Sequence, residues 1–174
     1  MNFKITILTL LITFHCFAQD NWQTYTKDNY TIDYPSDWTY SNQKPQPTIQ
    51  FVLKASPNSA KNDQFQENIN LNLEFLKQDK INLDSYINTT IKQILSQVND
   101  AQIIENKLIK SNDLDAKLFV WSGSFGNGIV LKFRQLVFIK NKTAYVLTLT
   151  CTETDYESYI NIGNKIFNSF KFKN

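Results

Sequence analysis

The stretch Ala116–Phe125 limits the fold more than any other part of the chain. Leu118 and Val120 fall on one side of an extended backbone and Phe119 and Trp121 on the other. Side chains along a strand alternate between the two faces of a sheet. A strand apolar on both sides therefore sits where both faces are covered. A chain of 174 residues is long enough to supply both covers within one domain.

Two segments have the spacing to be those covers. From Asn82 to about Val98, Ile87, Ile91, Ile94, Leu95 and Val98 recur at helical intervals. Asn82 can cap that helix, and Asp84 in its first turn suits the positive end of the helix dipole. Glu153–Phe170 carries a second stripe of Tyr156, Tyr159, Ile160, Gly163, Ile166, Phe167 and Phe170. Thr152-Glu153-Thr154-Asp155 offers it caps and acidic first-turn residues.

The rest of the pattern is strand and turn. Trp22–Tyr25 and Tyr30–Tyr34 form a hairpin through Lys27-Asp28-Asn29. Pro35 has no backbone donor and biases Tyr34 away from helix, so the strand ends there, and Trp38 folds back as an apolar anchor. Thr48–Lys54 places Ile49, Phe51 and Leu53 on one face, after a loop holding Pro45 and Pro47. Ser56–Gln66 is a polar gap. Ile69, Leu71, Leu73 and Phe75 then alternate with Asn70, Asn72 and Glu74, which predicts one face on the core and one in water. Strands at Gln102–Ile109, Ala116–Phe125, Ile129–Lys140 and Thr143–Cys151 make a meander. Gly123, Gly126 and Gly128 mark its middle reversal. The order predicts an α+β fold: an antiparallel β-sheet with helices packed on its faces.

Residues 1–18 read as a signal peptide and 19–174 as a single domain. Lys4 precedes an apolar run from Ile5 to Phe14, and small residues at Cys16 and Ala18 precede Gln19, as at an export cleavage site. The run is short for a membrane span. Cys16 leaves a lipoprotein anchor as the alternative, against which stands the bulky His15 before it. Cleavage after Ala18 removes His15, the only histidine, and one of two cysteines. The mature chain then has no internal disulfide, no histidine-based triad or dyad and no His-ligated zinc. A net charge of +2 with scattered basic residues gives no footprint for nucleic acid. No transmembrane helix and no cofactor are expected in the mature chain.

Tyr30-Thr31-Ile32-Asp33-Tyr34-Pro35-Ser36-Asp37-Trp38 after an export signal, a middle helix, a meander and a closing aromatic helix ending Phe167-Asn168-Ser169-Phe170 together resemble the PsbP-like superfamily. That group includes extrinsic photosystem subunits, the bacterial periplasmic protein DcrB and small envelope proteins. The likeness covers nearly all of the mature chain and implies the fold. It brings no shared catalytic set, and a fold does not settle function.

Each candidate site has a plainer reading. Tyr34, Trp38 and Tyr40 suit the end of a core better than a binding face. Gly123-Ser124-Phe125-Gly126-Asn127-Gly128 leads from strand to strand, whereas a phosphate loop leads into a helix. Asn112-Asp113-Leu114-Asp115 lacks the glycine and distal glutamate of a calcium loop. Ser41-Asn42-Gln43-Lys44 matches Ser-x-x-Lys but runs into Pro45 instead of opening a helix. Cys151 shares its strand face with Tyr145, Leu147 and Leu149 and is expected to be buried and inert. The expectation is an exported, non-enzymatic envelope protein that binds a protein or an envelope component. A hydrolase using carboxylates alone needs Asp33 with Asp37, or Glu67 with Glu74, in one cleft. A carrier of an apolar small molecule needs a lined cavity between sheet and helix.

Overall fold

A computed structural model describes residues 21–173 except 28, 44, 62–64, 78–80 and 127. The leader expected over residues 1–18, Lys44 of the Ser-x-x-Lys match and Asn127 of the glycine loop lie outside the described residues. The strands are β1 (Trp22–Thr26), β2 (Tyr30–Pro35), β3 (Thr39–Ser41), β4 (Ile49–Lys54), β5 (Asn68–Phe75), β6 (Asn99–Ser111), β7 (Leu114–Ser124), β8 (Val130–Lys140), β9 (Thr143–Thr152) and β10 (Lys171–Phe172). Helix α1 (Leu83–Gln97) precedes β6, and α2 (Tyr156–Ser169) follows β9. Seven strands form one sheet in the order β3-β4-β5-β9-β8-β7-β6, and β1-β2-β10 form a second. Every pairing is antiparallel. The fold is the α+β arrangement that the sequence predicts, with one helix on each face of the larger sheet.

Alternation sorts the large sheet into two surfaces. Ile69, Leu71, Leu136, Phe138, Leu147, Leu149 and Cys151 meet α2 and the small sheet in one core with Tyr30, Ile32, Ile166 and Phe170. Phe119, Trp121, Val137, Ala144 and Val146 form a second core with Ile87 of α1. β7 supplies both, with Val120 in the first core and Phe119 and Trp121 in the second.

α2 lies on β9 and β2. Gly163 lets it come close: a Cβ there would stand 2.7 Å from Leu149 Cδ2. Arg134 ties the same helix to the sheet, donating to Asn164 Oδ1 at 2.9 Å and reaching Glu105 at 3.5 Å. Beyond the helix, Asn112 in the β6–β7 turn donates to the Phe170 carbonyl at 2.6 Å. α1 lies on β6, β7 and β8. Asn82 closes a capping box with Ser85, satisfying donors that the first helical turn leaves open.

Several expectations need correction. Ile49 does not share a face with Phe51 and Leu53, because the register shifts between Ile49 and Phe51; such a bulge turns side chains over. Gly123 lies inside β7 and not in the reversal. Its role is space, since a Cβ would run into Val98, the residue between α1 and β6. The turn itself rests on Gly126 and Gly128, whose φ of +84° and +73° suit glycine. α2 starts at Tyr156, its preceding Asp155 making no side-chain cap hydrogen bond. Asn70, Asn72 and Glu74 do not simply face water, as the groove beside α1 makes plain.

Candidate functional site

The floor of that groove is the α1-facing side of β5, β9 and β8. Pairing sets Asn70 opposite Thr148 and Thr148 opposite Gln135. Gln135 Nε2 donates to Thr148 Oγ1 at 3.1 Å, and Trp121 Nε1 donates to Gln135 Oε1 at 3.3 Å. One strand position along, Asn72 Nδ2 donates to Glu74 Oε1 at 2.9 Å, while the Tyr86 hydroxyl of α1 donates to Glu74 Oε2 at 2.8 Å. Burial, then the Glu74 carboxylate, push the Tyr86 phenol well above its ordinary range. Tyr86 therefore stays a neutral donor and holds the helix to the strand.

Between α1 and the sheet this leaves a cavity of about 270 Å³, lined by Asn70, Asn72, Glu74, Tyr86, Thr90, Gln93, Gln135 and Thr148 together with Trp121 and Phe133. It continues at both ends. A hollow of about 530 Å³ shares Glu74, Tyr86, Thr90 and Gln93 with it and extends to Lys77. Another of about 420 Å³ shares Ile49 and Asn70 and extends to Gln43, Pro45 and Lys54. The three adjoin through these shared side chains and together form a trough beside α1. Trp121 and Phe133 border it as a stacked pair, centroids 4.0 Å apart, with Phe125 tilted against both. Phe125 is exposed.

The residues singled out in the sequence go elsewhere. Tyr34 and Trp38 are buried in the α2-side core, and Tyr40 stacks on Tyr25 with centroids 4.9 Å apart. Asp33 accepts a 2.7 Å hydrogen bond from Thr24 across the hairpin, and Asp37 is exposed in the following turn. Glu67 and Glu74 separate to opposite faces of the sheet. Glu67 is buried near Cys151 and Tyr159 on the α2 side, and its charge helps push both of their pKa values up, after burial itself. Glu67 and Glu74 therefore do not meet, and neither Asp33 nor Asp37 lines the trough. Asp115 pairs with Lys110 at 2.8 Å, and Asn112 is occupied at the end of α2. Ser41 Oγ accepts from the Gln43 backbone. Among the described residues no three His, Cys, Asp or Glu side chains gather as metal ligands. Cys151 is fully buried, and its thiol is held protonated far above its ordinary range.

The groove was half visible in the sequence. The alternation of Asn70, Asn72 and Glu74 gave its central strand, but Gln135, Thr148 and Tyr86 join them only through pairing and helix docking. The lining is mixed, with Ile49, Ile87, Val137 and Val146 beside the amides, hydroxyls and Glu74, so the cavity is not the wholly apolar one a lipid-type carrier requires.

An antiparallel sheet sandwiched by two helices, with its groove on one face, defines a class of α+β domain. A family model described as PsbP-like protein matches residues 15–172, and the chain belongs to the PsbP-like family. Its fold is similar to the solution structure of cyanobacterial PsbP (CyanoP) from Synechocystis sp. PCC 6803, with a TM-score of 0.65 and 14% identity over 94% of this chain and 99% of that one. It is also similar to LpqN of Mycobacterium tuberculosis, described as involved in cell envelope biogenesis, with a TM-score of 0.59 and 16% identity over 88% of this chain and 91% of that one. PA94 of Pseudomonas aeruginosa, a protein of unknown function described as a putative regulator, gives a TM-score of 0.59 and 14% identity over 86% and 95%. None of these names the DcrB-like branch in particular. No curated protein shows a significant match to the chain. Among the described residues no helix is long and apolar enough to cross a membrane.

Proposed function

We propose that this chain is a small exported envelope protein that recognises an envelope component or a protein partner through the trough beside α1, without catalysing a reaction there. The observation that carries this reading is the state of Glu74. It is the one carboxylate among the described residues lining the trough, and both of its oxygens already accept hydrogen bonds from Asn72 and Tyr86. General acid–base hydrolysis of the glycosidase kind needs a second carboxyl across the substrate. The remaining lining of the central cavity is amide, hydroxyl, aromatic and aliphatic, which suits orienting a ligand and not attacking it. Export is supported by the leader pattern of residues 1–18, and an envelope setting accords with the description of LpqN.

The test is a cross-linked pull-down of tagged protein, delivered by its own leader, from the envelope of its producing cell. Mass spectrometry reads the processed N-terminus and the captured material together. The expected result is a mature chain beginning at Gln19 with material cross-linked to residues of the trough. A lipidated Cys16 changes the anchoring and keeps the binding role. A chain that stays inside the cell with its leader intact overturns the proposal.

A further inference from the structure

We infer that the trough beside α1 binds a neutral oligosaccharide, a reading that rests on the binding role proposed above and specifies its ligand class. Three observations lead there. The first is charge. The central cavity offers Asn70, Asn72, Gln93, Gln135 and Thr148 beside a Glu74 already engaged twice, and the two lysines lie at the far ends. Nothing in that lining selects a phosphate or a highly charged chain, which calls for Arg or Lys in convergent positions.

The second is hydrogen-bonding capacity. Primary amides carry both donors and acceptors, and hydroxyls can act as either. A sugar hydroxyl has the same dual character, so a row of amides matches a row of hydroxyls without fixed polarity. Asn72 gives its amide hydrogen to Glu74, and its carbonyl oxygen is buried with no hydrogen-bond partner. That acceptor is covered as the side chains stand, so a hydroxyl donor satisfies it once they shift slightly, and leaving it unmet is costly. Gln135 is fixed between Trp121 and Thr148, so its orientation is set in advance.

The third is shape. The trough is a row of adjoining hollows, and the floor of its central one is the face of a sheet whose β5, β8 and β9 strands are paired on both sides. An extended peptide gains affinity chiefly by adding to a free strand edge; this floor offers it side chains only. A saccharide chain needs only side chains, and at the border the half-buried Phe133 and the exposed Phe125, backed by the buried Trp121, supply apolar surface for the CH-bearing face of a sugar ring.

The experiment is a titration of the ¹⁵N-labelled protein, in the form its producing cell delivers, with four neutral tetrasaccharides: chitotetraose, cellotetraose, maltotetraose and mannotetraose. The side-chain amide signals of Asn70, Asn72 and Gln135 and the indole signal of Trp121 are followed. At least one probe is expected to shift them saturably at concentrations up to about 10 mM, the weak end of specific recognition. Affinity is expected to hold across ionic strength, since no ion pair forms. Gln135→Ala is expected to weaken binding about tenfold, the value of one or two well-placed hydrogen bonds. Gln93→Ala, on the helix side of the trough, provides a second variant if the first does not fold.

Absence of a saturable shift with all four probes overturns the inference. So does a bound probe whose shifts map away from the trough, or a peptide that shifts these signals where saccharides do not. If the pull-down still captures material through this face, only the saccharide assignment fails; if both experiments fail, the binding role fails with it.

Discussion

The two faces of the seven-stranded sheet are built from the same strands and are finished differently. On the α2 side, Tyr30, Phe51, Ile69, Leu71, Leu147, Leu149, Ile166 and Phe170 are all essentially inaccessible. Phe170 alone has rings of Tyr30, Phe138, Tyr145 and Phe172 within ring-stacking range. On the α1 side the helix buries only Ile87 fully, and Leu95 is left 54% exposed. Polar bonds replace some of the missing packing: Tyr86 to Glu74, and Lys117 to Asp84 at 2.6 Å. One face is a closed hydrophobic core, which gives the molecule its stability. The other is a partly covered floor, the kind of surface that keeps room for a ligand at some expense of packing.

Substitutions sharpen that contrast. Phe170→Ala is expected to cost about 4 kcal/mol, the usual loss for deleting a buried aromatic ring, measured by urea unfolding. Ile87→Ala is expected to cost about 2–3 kcal/mol, since fewer neighbours surround it and the helix can settle partway into the space. If Ile87→Ala proves as costly as Phe170→Ala, the two faces are equally packed and the comparison fails. The Lys117–Asp84 pair gives a subtler test, because Lys117 is buried while Asp84 is largely exposed. Asp84→Asn is expected to cost about 1–2 kcal/mol, since it leaves a buried ammonium without its counter-charge. Lys117→Met is expected to cost less than Asp84→Asn, because it removes the buried charge and leaves only the largely exposed Asp84 carboxylate, which water solvates. The reverse order, read from urea midpoints of the two variants, means that the ion pair itself holds α1 down.

The same contrast decides what could be read ahead of the structure. Local rules carried far where one residue or one period settles the outcome. Asn82 as a cap, with Asp84 in the first turn, set the start of α1, the apolar-on-both-sides run of β7 placed it inside the sheet, and Gly126 and Gly128 set a hairpin. The α2 core was legible because its stripe and the alternating strands point the same way. The trough was not, for physical reasons. Gln135 and Thr148 sit in separate strands, and nothing in either segment says they hydrogen-bond across a shared floor. Tyr86 reads as one more helix residue until the docking of α1 brings it to Glu74. The bulge after Ile49 reversed a face that simple alternation had assigned, and β10 is too short for any pattern to mark. Glu67 and Glu74 are odd and even in one extended segment, so their separation to opposite faces was available from the period alone.

The smallest effects separate the ends of the two helices. Asn82 accepts from the Ser85 amide at 2.8 Å, and Ser85 Oγ accepts in turn from the Asn82 amide at 3.1 Å. Asn82→Ala is expected to destabilise by about 1 kcal/mol, the ordinary worth of an N-cap. Asp155 before α2 has helical backbone angles and makes no side-chain cap bond, so Asp155→Ala removes only a charge near the helix terminus, worth about 0.3–0.5 kcal/mol. Urea unfolding in low and high salt tells them apart: the Asn82 loss persists when charges are screened, and the Asp155 loss shrinks. The weakly packed helix thus depends on its own cap, whereas the strongly packed one is held by the core it covers. Equal, salt-independent losses at both positions would mean that α2 also relies on local capping, and that the density of its core does not extend to its first turn.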